Sequence, residues 1–525
     1  MHLFAVLTRL LLPAPAALTD QPFTASEVAH YQRLLQPQQD GAATLDAQTW
    51  SDLMLTQYSA RLAPGISILG QQELQRRLYA LCRIVDAATT HTQQQVRTLV
   101  ADAPQRQRLQ TACQGLRAAE HEVSEVLFGA PLAPSPRWAR CLPLLPLALL
   151  AAIVLALSSG VAALWLLVLV LLAVLMTLQV RFHYAASTWQ RGLDTLSHML
   201  RAHVLLAGLD DAPAAVLRSD AGAAGKLNRR LMRSPLLSMP GMSEYADWLL
   251  LFSIRHYFFT QGIVRDQLPL LRASFQRVAG IEADLALARH LADAPRYCWA
   301  ERGDTVLLEQ AVHPLLAEPA PLSLRLDATL QGAFISGQNG VGKSTLLRTV
   351  GLNLVLARAF GFCYANAAVT PGLPVYASMQ NEDALESGES LYVAEVRRAG
   401  ELLALAQQAP AIFIIDEIFR GTNHLESVSA AAAVIDTLAA GSRVLVSSHN
   451  LILAPLLSKR LAPLCVERSG GQLRLVSGIL KETNGISMLN TIDPSGLLSG
   501  KANEVRTQLG AYYRSYPGDL DTVLE

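Results

Sequence analysis

The stretch GAFISGQNGVGKSTLLRTVG, residues 332–351, decides the fold of the C-terminal third of the chain. Its opening, GAFIS, is a short apolar run that reads as a buried strand, and TLLRTVGLNLVLARAF from Thr345 onward reads as a helix. Between them Gly337, Gln338, Asn339, Gly340, Val341, Gly342, Lys343 and Ser344 satisfy G-x-x-x-x-G-K-[ST]. In that setting the three glycines let the backbone curl so that its N–H groups face the phosphates of a nucleotide, and the helix N-terminus adds a favourable dipole. Lys343 then supplies a point charge to the phosphates and the Ser344 hydroxyl a ligand to Mg²⁺, so ATP with Mg²⁺ is the expected ligand pair.

A second stretch completes such a site. FIIDEIFRGTN, residues 413–423, ends an apolar run on Asp416 and Glu417. Two adjacent acids at the end of a buried strand are costly to desolvate without a cation. Asp416 is therefore expected to hold Mg²⁺, directly or through water, and Glu417 to orient or deprotonate an attacking water. RVLVSSH, residues 443–449, reads as another buried strand ending in His449, a candidate sensor of the terminal phosphate. With Lys343, these make Glu417 and His449 the candidate catalytic residues. Between the two acidic and glycine-rich motifs lies DALESGESLYVAEV, residues 383–396, where Ser387, Gly388 and Ser390 open a helix. Such a run is either a simple helix cap or an anion-binding tip offered to the nucleotide of a second subunit, and the latter implies a homodimer.

From about residue 301 short β-like runs alternate with helical stretches, the texture of an α/β domain. Upstream the texture is helical over residues 22–130 and 185–300, as in QQELQRRLYALCRIVDAA. Between these, CLPLLPLALLAAIVLALSSGVAALWLLVLVLLAVLMTLQV, residues 141–180, holds no charged residue. One helix of that length spans about 60 Å at ~1.5 Å per residue, twice the ~30 Å hydrocarbon core, so two transmembrane helices turning at Ser158, Ser159 and Gly160 are predicted. Arg137 and Arg140 before the pair and Arg181 and His183 after it place both flanks on the cytoplasmic side. The expected localisation is a multi-pass cytoplasmic membrane protein with both terminal portions inside and the lipid bilayer as a partner.

Length and composition agree with this layout. The 525 residues exceed a single core, and 51% hydrophobic against 16% charged residues points to a membrane-embedded segment. Lys+Arg and Asp+Glu balance at 43 each, so no global field draws the protein to nucleic acid, and such contact needs a local patch. GKLNRRLMR supplies one candidate: Lys226, Arg229, Arg230 and Arg233 share a helical face that meets DNA phosphates, lipid headgroups or only solvent. Six scattered cysteines without CxxC spacing indicate neither a metal cluster nor a disulfide framework. The start MHLFAVLTRLLLPAPAALTD lacks a basic leading region and is broken by Arg9, so no cleaved signal is expected.

GQNGVGKST, DALESGESLYVAEV, DEIFRGTN and SSH together resemble the ATPase domain of the MutS family over roughly residues 301–490, with HPLL at His313 and GILKETNGISML downstream. The resemblance implies an ABC/MutS-like P-loop ATPase that works as a dimer and couples to DNA. It matches Glu395 to the family's glutamate after the signature, and Gly421 and Thr422 to a loop that communicates between subunits. LDAQTWSDLMLTQYSARLAPGISILGQQELQRRLYAL looks like the opening of the family's helical core. Three departures stand out: Gln338 replaces the usual Pro, no aromatic that would stack on adenine occurs between His313 and Phe334, and no Phe-x-Glu wedge of the mismatch-reading members occurs. The resemblance, with these departures, implies a shortened, membrane-anchored member type as the expectation. The expected domains are a helical region 1–137, a transmembrane hairpin 138–182, a helical region 183–300, the ATPase domain 301–500 and a tail 501–525. An ABC-type transport or membrane-remodelling ATPase, and a nucleotide-gated scaffold, are the alternative functions.

Overall fold

The computed structural model describes residues 23–35, 43–81, 87–232, 247, 250–326, 331–379, 391–420, 422–469, 472–481 and 484–515. The chain forms two compact units, each gathered from three stretches: residues 1–40, 61–76 and 94–292 in one, and 41–60, 77–93 and 293–525 in the other.

The first unit is helical. Its long elements include Ala103–Cys113, Leu144–Ser159, Ala162–Ala207, Ala221–Leu231, Phe252–Asp266 and Leu268–Asp293. An aromatic cluster anchors it, with the Tyr31 ring 4.9 Å from Phe275 and 5.0 Å from Phe128. Buried Glu282 on the last of these helices accepts hydrogen bonds from the Ser67 N–H (3.1 Å) and the Ser67 hydroxyl, capping the helix Ile68–Tyr79 from outside. Burial pushes the Glu282 carboxyl up to about 7, against the lowering effect of those donors.

The apolar region corrects the expectation of two crossing helices. Among the described residues one helix, Ala162–Ala207 with 46 residues, is long and apolar enough to cross a membrane, whereas Leu144–Ser159 has 16. The shortening has a local cause. The chain enters through a 3₁₀ turn, Arg137–Cys141, and Pro143 sets the first helical residue at Leu144. The turn itself falls where expected, with Gly160 in the left-handed region at φ 66°. Leu149 and Ala152 pack with Val168 and Leu175 of the longer helix and with Leu251, Ile254 and Phe258. The outer faces stay bare: Leu157 is 69% and Leu166 68% exposed. Beyond Val180 the longer helix runs on unbroken to Ala207.

The second unit is built on a curled mixed sheet of ten strands. Edge to edge these are Val375–Ser378, Ile412–Asp416, Arg443–Ser447, Gly332–Gly337, Leu461–Ser469, Gln472–Ser477, Leu322–Leu326, Val306–Ala311, Ala367–Thr370 and Glu301–Arg302. The first five pair in parallel, and the remaining pairings mix directions. GAFISG and IFIID are buried at every residue, as continuous apolar runs in a covered parallel sheet should be. Gly332 is required where it stands, since a Cβ there would lie 1.7 Å from the Val444 carbonyl oxygen.

Part of the stretch that resembles the opening of a helical core belongs to this unit instead. Asp46 caps the helix Ala47–Asp52, accepting from Thr49 N–H at 2.8 Å. The Thr49 hydroxyl then accepts from Ala377 N–H (2.8 Å) and Asp52 from Met379 N–H (2.9 Å), so this short helix satisfies the edge strand Val375–Ser378. Buried Arg398 ties the arrangement together, 3.0 Å from both Asp46 and Glu401.

Candidate functional site

The parallel order of the sheet delivers its motif-bearing strand ends to one place. Gly332–Gly337 runs into the glycine-rich loop, and Gly342 at φ 109° is the last loop residue before the helix Lys343–Phe360. A side chain at that φ is strained, so the motif's third glycine is a backbone requirement. Lys343 is 7% exposed and its Nζ donates to the carbonyls of Gly337 (3.1 Å) and Gln338 (3.4 Å), closing the loop on itself. Burial lowers its pKa, and the nearby Asp416 and Glu417 carboxylates oppose that shift.

Next in the sheet but one, Ile412–Asp416 ends in the buried Asp416 carboxylate, which accepts from the Ser447 hydroxyl of the intervening strand. The chain then turns sharply, with Glu417 at φ 57° and Phe419 at φ 60°. Left-handed residues with side chains cost roughly 1–2 kcal/mol each and persist where the surroundings fix them. Here Glu417 N–H donates to Ser447 O at 3.0 Å, and Arg420 N–H donates to the buried Glu395 carboxylate at 2.8 Å. The turn aims the Glu417 carboxylate at two partners: His449 Nε2 at 2.6 Å and Arg420 Nη1 at 3.4 Å.

One cavity of about 430 Å³ is lined by Asn339, Gly340, Gly342, Lys343, Ser344, Thr345, Asp416, Glu417 and His449. The structure thus gathers most of the residues singled out by the motifs, from stretches more than 100 residues apart. Gly337 lies buried beneath this loop and Gln338 is exposed on it, while Val341 turns to a second cavity of about 220 Å³. That second cavity is walled by His313, Leu316, Pro319, Ala320, Arg468 and Leu473, with Gly340, Gly342 and Thr345 common to both. Burial pushes the His313 imidazole down to about 4, and its Nδ1 accepts from Leu315 N–H at 3.3 Å. A neutral imidazole, apolar side chains, the Glu318 carboxylate and a guanidinium line it, a mixed surface beside the glycine-rich loop.

Asn484 is the residue that motif reading missed. Its Oδ1 accepts from Asn339 N–H at 2.8 Å and its Nδ2 donates to Asn339 O at 3.2 Å, so one side-chain amide braces the loop's exposed crest. The signal lay in KETNGIS, where an Asn-Gly pair marks a turn, but nothing in that pattern says what the turn touches.

Other expected residues lie elsewhere. Ser387, Gly388, Ser390, Arg233 and Gly421 fall outside the described residues. Thr422 donates from its hydroxyl to Glu426 at 2.6 Å at the start of the helix His424–Ala439. Lys226, Arg229 and Arg230 are exposed on Ala221–Leu231 in the helical unit, whose opposite face buries Ala224, Leu227 and Leu231.

Residues 333–480 match the family model for MutS domain V. The chain is similar to an endonuclease MutS2 from Thermus thermophilus, 32% identical over 171 residues that make up 32% of this chain and 22% of that one. It is also similar to the DNA mismatch repair protein MutS of Thermus aquaticus, 28% identical over 50% of this chain and 33% of that one. The Myxococcus xanthus MutS is 30% identical over 48% and 30% respectively. The chain therefore spans between a fifth and a third of the length of these relatives, and the family model falls within the unit that carries the loop.

Proposed function

We propose that the chain is a membrane-attached, Mg²⁺-dependent ATPase of the MutS type that hydrolyses ATP in a site shared between two copies and couples the cycle to DNA. The observation that carries the ATPase reading is the single cavity where the glycine-rich loop, Asp416, Glu417 and His449 meet. Its donor set fits the ligand: loop amides and Lys343 for phosphates, and the hard oxygens of Ser344 and Asp416 for Mg²⁺. Bound Mg²⁺ supplies positive charge to the phosphate oxygens of the nucleotide.

The remaining steps belong to the chain's own side chains. Glu417 is held by its fixed backbone and by His449, so its carboxylate faces the cavity ready to orient a water and take its proton. His449 positions that carboxylate and senses the terminal phosphate beside it. Ser387, Gly388 and Ser390 of a second copy complete the pocket. His313 and its neighbours in the smaller cavity receive the base.

Membrane attachment is supported by the bare leucines and valines on Leu144–Ser159 and on the first half of Ala162–Ala207. Coupling to DNA is supported by the relatives, which are named for mismatch repair and endonuclease action, and by the exposed Lys226, Arg229 and Arg230. Contacts of that kind go to backbone phosphates and weaken with salt. Glu417→Gln tests the chemistry: it should retain ATP and lose hydrolysis by about 10²–10⁴-fold, the usual contribution of a positioned base. A Glu417→Gln protein that turns over ATP at the wild-type rate removes the assigned base.

A further inference from the structure

We propose that the pocket at the foot of the apolar helices is a binding site for the headgroup of an anionic phospholipid. The pocket has a volume of about 630 Å³, within the ~300–1,000 Å³ of small-molecule sites. It lies between the segment Pro134–Pro143, which leads into the helix Leu144–Ser159, and one face of the helix Phe252–Asp266.

Its chemistry is two-sided. Arg140, Arg255 and Arg265 bring guanidinium groups from both walls. Arg265 is 3.2 Å from Asp266, so part of its charge is met, but Arg140 and Arg255 are exposed and have no carboxylate partner among the described residues. Two guanidiniums facing one space suit a phosphodiester, which they bind with directed, charge-assisted hydrogen bonds. Phe252, Phe258 and Phe259 form the other side, and Phe259 is 60% exposed. A soluble anion has no use for three phenyl rings, whereas the upper acyl and glycerol portion of a lipid does.

Position selects the same occupant. The pocket ends at Pro143, and the next residue, Leu144, begins the bare apolar surface. Trp138 stands at that border, 44% exposed, its ring 5.3 Å from Phe258 and 5.7 Å from Phe182, the placement expected of an aromatic at headgroup level. A lipid seated with its phosphate between Arg140 and Arg255 would lay its chains along that surface. With 43 basic against 43 acidic residues overall, this local pair of charges, and not a general field, would make the selection.

This inference rests on the membrane attachment proposed above, and its test separates the two. The full chain in neutral detergent is titrated with short-chain phosphatidylglycerol or phosphatidylcholine, and bound lipid is counted by native mass spectrometry, for the wild type and for Arg140→Gln/Arg255→Gln. Each basic residue beside an anionic lipid contributes a factor of about five, so the double variant should bind phosphatidylglycerol about twenty-five-fold more weakly. Its ATPase rate and melting temperature serve as the folding control and should match the wild type. Equal binding of the two lipids, or undiminished phosphatidylglycerol binding by the double variant, overturns the proposal while leaving attachment intact. Displacement of the lipid by millimolar inorganic phosphate or by duplex DNA overturns it in favour of those ligands. A chain that stays monodisperse without detergent and binds neither lipid overturns the attachment itself.

Discussion

Asn484→Ala isolates one structural claim, that a side chain outside the glycine-rich loop holds it in shape. The residue makes two hydrogen bonds to the backbone of Asn339, at 2.8 and 3.2 Å, and no charge is involved. Each such bond contributes roughly 0.5–1.5 kcal/mol net, and exposure at the loop crest favours the lower half of that range, so together they contribute about 1–2 kcal/mol. If that energy pre-organises the loop for phosphates, its loss appears as a five- to thirtyfold rise in the dissociation constant for nucleotide. Asn484→Asp should be worse than Ala, because a carboxylate keeps the acceptor for Asn339 N–H, faces Asn339 O with a second acceptor and adds negative charge beside a triphosphate. The assay is equilibrium titration of a fluorescent ATP analogue into the detergent-solubilised chain, with the melting temperature as a control. Binding by Asn484→Ala within twofold of wild type would show that the loop keeps its shape unaided.

Two further outcomes concern stability. Arg398→Ala removes the buried guanidinium that joins Asp46, Glu401 and the Ala377 carbonyl, and should destabilise the C-terminal unit by about 1.5–3 kcal/mol. Hydrogen exchange at the Ala377 amide, which donates to Thr49, should speed up, and an unchanged exchange rate would deny the link between the short helix and the edge strand. Glu282 carries a pH signature. Its folded pKa of about 7 lies above the ordinary 4.5, so the folded state holds the proton more tightly. The stabilisation is full below pH ~4.5 and is lost as pH rises to ~7, on the order of 3 kcal/mol across that window. Glu282→Gln should flatten this slope in melting curves of the helical unit, and a difference from wild type that is the same at pH 5 and pH 8 would contradict it.

What the sequence discloses about this fold is what short-range chemistry fixes. Gly337–Ser344 and Asp416–Glu417 are legible because phosphate and metal chemistry demands particular residues at particular spacing, after strands whose burial leaves continuous apolar runs. The turn at Gly160 is legible because a left-handed residue must end the helix. The length of Leu144–Ser159 is not, since composition marks apolar residues and the helix start is set by the 3₁₀ entry and Pro143. Nor is the placement of Ala47–Asp52 against Val375–Ser378. That docking depends on side chains of Thr49 and Asp52 meeting backbone N–H groups some 327 residues away, and single hydrogen bonds leave no periodic trace. Asn484 and the walls of the smaller cavity are hidden for the same reason, being assembled by the curl of the sheet from His313, Arg468 and Leu473.

Lys343 is buried and already held in the loop by the Gly337 and Gln338 carbonyls. Its replacement by Ala should abolish Mg²⁺-dependent release of phosphate from ATP by the purified chain while its circular dichroism stays that of the wild type. Release at the wild-type rate from the folded Lys343→Ala protein would contradict the nucleotide site itself.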